Sequence, residues 1–124
     1  MKPEAERWVK LAEEDLRMAA VALEDSLFRP CILHCQQALE KLLKAMWVEQ
    51  ALEGYPPREH NLNSLAQKVA LKLTKERMDF FDDLSKQYNP SRYGDVAVEY
   101  SREQAENYHQ RTLEHFEWLR QQLS

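Results

Sequence analysis

Apolar residues recur along this chain at three- and four-residue spacing, the period of amphipathic helices rather than strands. From Pro3 to about Asp25, Trp8, Leu11, Ala12, Leu16, Ala19 and Leu23 fall on one stripe. Proline suits a first helical turn, and Glu4 and Glu6 complement the positive end of the helix dipole. The stretch SLFRP is a turn, and Pro30 opens a second helix that runs to about Leu52, ahead of Gly54. Cys31, Cys35, Ala38, Leu39, Leu42, Ala45 and Met46 share its apolar side, while His34, Gln37, Glu40, Lys41 and Lys44 gather on another. EGYPPREH is a loop. A shorter helix from about Asn61 to Leu71 follows, burying Leu62, Leu65 and Val69, and Thr74 is placed to cap a fourth with Met78, Phe81 and Leu84. A break runs from Tyr88 to Glu99. The last helix starts near Ser101, where SREQ forms a capping box, and carries Tyr108, Leu113, Phe116 and Leu119.

These segments predict an all-α fold, an antiparallel up-and-down helical bundle of four long helices plus one short helix. Two glycines in 124 residues fit few tight turns, and the length fits one domain over residues 1–124. A net charge of −4 argues against a protein that coats nucleic acid generally, while leaving room for a local basic patch. No apolar run is long enough to span a bilayer, and the charged MKPEAERW is unlike a signal peptide. The expectation is a cytoplasmic protein with no membrane partner.

Three places carry candidate chemistry. CILHC sets Cys31, His34 and Cys35 near one face of a helix, a donor set that suits zinc. One short helix seldom supplies three ligands to a tetrahedral ion, so the cysteines are read as packing residues and no metal or cofactor is expected. The second place is the polar stripe of the second helix. A solvated face would explain its charges, with Glu40 and Lys44 as an i,i+4 pair. The alternative is a cleft wall, and the uncharged Gln36 and Gln37 suit a partly buried interface. The third is YNPSRYGD, Tyr88 to Asp95. Arg92 offers a planar donor fork for phosphate or carboxylate, Tyr88, Tyr93 and Tyr100 offer faces for a base, and Asp95 could orient Arg92. Read structurally, Asn89-Pro90 ends a helix, Gly94 turns the chain and Arg92 pairs with an acid. His109 and His115, six apart, share no face and are expected at the surface.

Four blocks in order, AERWVKLAEEDLRMAAVAL, HCQQALEKLLKAMW, HNLNSL and YNPSRYGD, resemble the HEPN domain family (higher eukaryotes and prokaryotes nucleotide-binding). The resemblance implies a bundle of four long helices and a short one, a homodimer, and a minimal nucleotidyltransferase as partner in a toxin–antitoxin-like pair. Several branches of the family are metal-independent ribonucleases that use an Arg and a His separated by four to six residues. No histidine follows Arg92 at that spacing; Arg29 to His34 and Arg102 to His109 match it formally. His34 of a facing subunit is one source of a base. The first expectation is therefore a dimeric binding module for nucleotide or RNA, with Arg92, Tyr93, Asp95 and Tyr88 at the site and Gln37, Lys41 and Lys44 along the adjoining cleft. A metal-independent endoribonuclease toxin is the alternative, with Arg92 and His34 as catalytic candidates, and a purely structural dimer is the third. The apolar side of the second helix, extended by Trp47, is the expected physical support for dimerisation.

Overall fold

The computed structural model describes residues 1–93 and 98–123. Among them the chain forms six helices: α1 (Pro3–Glu24), α2 (Phe28–Gln50), α3 (Leu62–Lys68), α4 (Lys75–Lys86), α5 (Tyr88–Tyr93) and α6 (Arg102–Gln122). The expected bundle is present. Where the sequence suggested a break from Tyr88 onward, the first six residues instead form α5, closed by a bond from the Ser91 amide to the Gln87 carbonyl at 2.9 Å. Proline at the third position of that helix costs no hydrogen bond, because the first turn has no internal acceptor for its nitrogen. Gly94 and Asp95 lie outside the described residues.

The helix starts follow the expected chemistry. Thr74 accepts from the Arg77 amide at 3.2 Å, and Ser101 and Gln104 complete a reciprocal capping box at 3.1 and 2.9 Å. Asn61 caps α3 through the Ser64 amide.

α2 is the centre of the bundle. Cys31, Ile32, Cys35, Ala38, Leu39, Leu42, Leu43 and Ala45 are fully buried, and α1, α3, α4, α5 and α6 all pack on it. α1 runs antiparallel to it: the Lys2 amide donates to Glu49 at the far end of α2, and Asp15 meets His34 and Lys41 midway. α6 starts beside the start of α2, where Arg102 bonds Ser26 and covers the Phe28 ring, and so runs parallel to α2 and antiparallel to α1.

The inner face of α1 differs from the expected stripe. Ala5, Val9, Ala12, Ala19 and Ala22 are the buried apolar residues, while Trp8, Leu16 and Leu23 are only partly covered and Leu11 is exposed. Small side chains let the α1 backbone approach α2 closely, so the alanines rather than the leucines face inward.

α4 packs antiparallel on α6. The Tyr108 hydroxyl donates to Asp83 at 2.9 Å, and Arg77 Nη1 donates to His115 Nδ1 at 2.9 Å. His115 is not a surface residue: it is 5% exposed and its ring stacks on Phe80 with centroids 4.6 Å apart. Because the guanidinium always donates, Nδ1 must keep its lone pair and the ring is held neutral. Burial first, and then the positive charges of Arg77 and Arg111, lower its pKa to about 4. His109 is half-buried, so the surface expectation fails for His115 and holds only in part for His109.

Ala12→Leu overfills the α1–α2 contact and is expected to cost about 1–3 kcal/mol in urea titration, whereas Leu11→Ala in dilute solution changes stability by less than about 0.5 kcal/mol. The unfolded chain protonates His115 near its ordinary pKa, but the folded chain does so only near pH 4. Its contribution is therefore present above about pH 6.5 and is lost as pH falls from there towards 4. Thermal melts across that window are expected to be flatter for His115→Gln than for the parent.

Candidate functional site

Central placement gives α2 a problem with its own polar residues, because most of its circumference is covered by the other helices. Gln36, Glu40 and Lys44 lie one turn apart and are all buried. Lys44 Nζ donates to Glu40 Oε2 at 2.9 Å. The other oxygen, Oε1, receives Gln36 Nε2 at 3.1 Å and lies 2.9 Å from His60 Nδ1. Gln36 also donates to the His60 carbonyl at 2.8 Å, so the loop before α3 is tied to α2 at two points. Glu40 and Lys44 of the stripe, with Gln36, therefore form a buried network, while His34, Gln37 and Lys41 stay partly exposed.

Facing a carboxylate, His60 Nδ1 donates its proton to Glu40. The His60 ring stacks on Tyr88 with centroids 4.2 Å apart and planes 19° from parallel. Tyr88 and Arg92, four residues apart on α5, share a face, and Arg92 Nη1 donates to the Tyr88 hydroxyl. The guanidinium lies 5.4 Å from the Tyr88 ring and 5.1 Å from the Tyr93 ring, within cation–π range of both. Tyr93 is 68% exposed, and Arg92 pairs with no carboxylate among the described residues. Beside them lies a cleft of about 290 Å³ lined by His60, Asn61, Ser85, Lys86, Tyr88 and Asn89.

The expected site residues divide between two clusters. Arg92, Tyr88 and Tyr93 come together. Lys44 joins them through Glu40 and His60, and Gln37 joins through Gln36 Oε1, to which it donates at 2.7 Å. Lys44 does not offer an open cation: it is tied to Glu40 and its ammonium sits 5.9 Å over the Trp8 ring. His34 and Lys41 belong elsewhere. His34 Nδ1 lies 2.7 Å from Asp15 Oδ1, and Lys41 donates to Oδ2 at 2.5 Å, at the α1–α2 contact. Burial pushes the Asp15 pKa up, but the bonds from His34 and Lys41 outweigh it and hold the carboxyl below the ordinary aspartate value. Asp95 lies outside the described residues.

His60 is the functional candidate that the sequence did not single out. It sits at the end of a segment read as a plain loop, and no spacing links it to Arg92. Cys31 and Cys35 are both fully buried, and among the described residues no three His, Cys, Asp or Glu side chains gather to hold a metal. No helix among them is long and apolar enough to cross a membrane.

The chain is thus a helical bundle in which Arg92 lies between Tyr88 and Tyr93, next to His60. The HEPN domain model matches residues 5–122, and the chain belongs to the HEPN domain family. Two solved structures share the fold. The archaeal HEPN homologue ST0689 is 28% identical with a TM-score of 0.74, over 100% of both chains. TT1696 from Thermus thermophilus is 21% identical with a TM-score of 0.84, over 97% of this chain and 98% of that one. No curated protein matches the sequence.

Glu40→Ala strands the buried Lys44 ammonium and is expected to cost about 3–5 kcal/mol of folding stability. Arg92→Ala, at an exposed position without an ion-pair partner among the described residues, is expected to stay within about 0.5 kcal/mol. Urea titration of both variants separates a structural role for Arg92 from a binding one.

Proposed function

We propose that this chain is a dimeric HEPN module that binds the phosphate of a nucleotide or RNA at Arg92. It would act in the cytoplasm beside a minimal nucleotidyltransferase partner, as in a toxin–antitoxin-like pair. The observation that carries the binding reading is Arg92 itself. It is exposed and fixed by the Tyr88 hydroxyl, with no carboxylate partner among the described residues. An arginine in that condition offers its fork to an incoming anion. Tyr93 and the His60–Tyr88 stack supply ring faces on which a base can lie. The nucleotidyltransferase partner rests on family membership alone.

A second reading, metal-independent cleavage of RNA, is favoured by one observation: His60, its Nδ1 turned to Glu40, stands against Tyr88, and Tyr88 holds Arg92. In that reading His60 takes the proton of a 2′-hydroxyl, whose oxygen attacks the neighbouring phosphorus. Arg92 meets the charge that develops on the phosphoryl oxygens, and the 5′-oxygen departs with a proton from water, leaving a 2′,3′-cyclic phosphate. His60 joins His34 as a candidate base: each turns Nδ1 to a carboxylate, and His60 is the one that stands beside Tyr88 within this chain.

The test is anisotropy of a labelled RNA oligonucleotide and of a nucleoside triphosphate with the purified protein in chelator, followed by gel analysis of the RNA. Loss of a charge-assisted bond to phosphate is worth about 1.5–3 kcal/mol, so Arg92→Ala is expected to weaken binding by about tenfold or more. Equal affinity in the parent and the variant overturns the reading. RNA cut by the parent but not by Arg92→Ala or His60→Ala makes the protein an enzyme; intact RNA in every lane leaves it a binding module.

A further inference from the structure

α1 carries a second stripe that its own bundle does not use. Leu11, Met18 and Val21 are 36%, 49% and 59% exposed, and Leu27 in the following turn is 52% exposed. Met18, Val21, Leu27 and Pro30 line an apolar cleft of about 490 Å³ whose rim holds Glu14, Arg17 and His34. Arg7, Leu11, Glu14, Met18, Val21 and Asp25 follow one another at alternating four- and three-residue steps. That is the spacing of a seam between two packed helices. The inner alanine face already serves α2, so this outer seam faces away from the bundle.

The charges on and beside the seam, Arg7, Glu14, Arg17 and Asp25, have no ion-pair partner among the described residues, although i,i+4 pairs close elsewhere at Lys75–Asp79, Lys86–Asp82 and Arg102–Glu106. Their order is self-complementary. Two copies of α1 crossing antiparallel, with a two-fold axis beside Leu16, set Leu11 against Val21 of the second copy and Arg7 against its Asp25. Glu14 then lies beside Met18 and Arg17 of the second copy. A two-fold axis makes each of these contacts twice.

We infer that the outer face of α1 is the surface on which a second copy of this chain docks, antiparallel, through Leu11, Met18 and Val21. The inference rests on the dimer reading above and names the face that makes it. It moves the interface away from the α2 side extended by Trp47, because Trp47 is partly buried against the chain's own core. Leu27 and Pro30 widen the contact beyond one helix.

Sedimentation velocity over a concentration series is the test, with thermal melts confirming that each variant folds. The parent is expected to dimerise, and Met18→Lys with Val21→Asp to remain monomeric. Glu14→Arg sets like charges together twice, as does Arg17→Glu, and each alone is expected to raise the dimer dissociation constant by about tenfold or more. The double variant Glu14→Arg, Arg17→Glu is expected to recover most of that loss. A parent that dimerises equally well with both the apolar and the charge variants overturns the face but leaves the dimer standing. A parent that is monomeric throughout overturns both. Failure of the double variant to recover affinity overturns the antiparallel register.

Discussion

Everything in this molecule is arranged around a helix that is buried over most of its circumference. α2 is packed by neighbours along its length, so the polar side chains it buries must find partners inside the protein. Two carboxylates do this in the same way. Glu40 on α2 takes Lys44 and His60, and Asp15 on α1 takes Lys41 and His34. Each neutralises one lysine and fixes one histidine through Nδ1. The first ties the loop before α3 to the core, and the second locks the rotation of α1 on α2.

What was legible in the sequence follows from which forces are local. Caps depend on residues three apart, so Thr74, Ser101 and Gln104 could be read directly. Periodicity gave every helix but α5, and their order; α5 is six residues long and was read as a break. It did not give the rotation of α1, because that chain segment carries two seams a part-turn apart. Hydrophobicity favours the larger side chains for the inner face, whereas close approach to α2 selects Ala5, Ala12, Ala19 and Ala22. The histidines were misplaced for the same reason. Nothing near His115 in sequence announces Arg77 or Phe80, which arrive from α4, and nothing near His60 announces Glu40 or Tyr88. Arg92 and Tyr88 were found as candidates because they are neighbours on one segment; the histidine that completes their surroundings is contributed by fold rather than by spacing.

The two clusters lie at different contacts of α2, one with the loop before α3 and one with α1. Glu40 looks toward His60, which stacks on α5 beside the cleft, while Asp15 sits at the α1–α2 contact, one turn from the outer seam of α1. His34 is the point at which the second cluster reaches the apolar cleft beside Met18 and Val21. A second copy docked there leaves Arg92 outside the contact between the two α1 helices. An interface on α1 is thus compatible with an open site on α5.

The precision of the candidate site depends on the buried pair beneath it. A helix of six residues has too few internal bonds to persist alone, so α5 is held by what it packs on. Tyr88 is its buried anchor, Tyr88 rests on His60, and His60 is fixed by Glu40. The orientation of Arg92 is therefore set by a carboxylate on another helix that never meets solvent. Buried ion pairs give little net stability against an apolar replacement. The value of Glu40 and Lys44 lies in geometry: an apolar pair of the same volume could fill the space, but it could not hold the histidine that holds the tyrosine that aims the arginine.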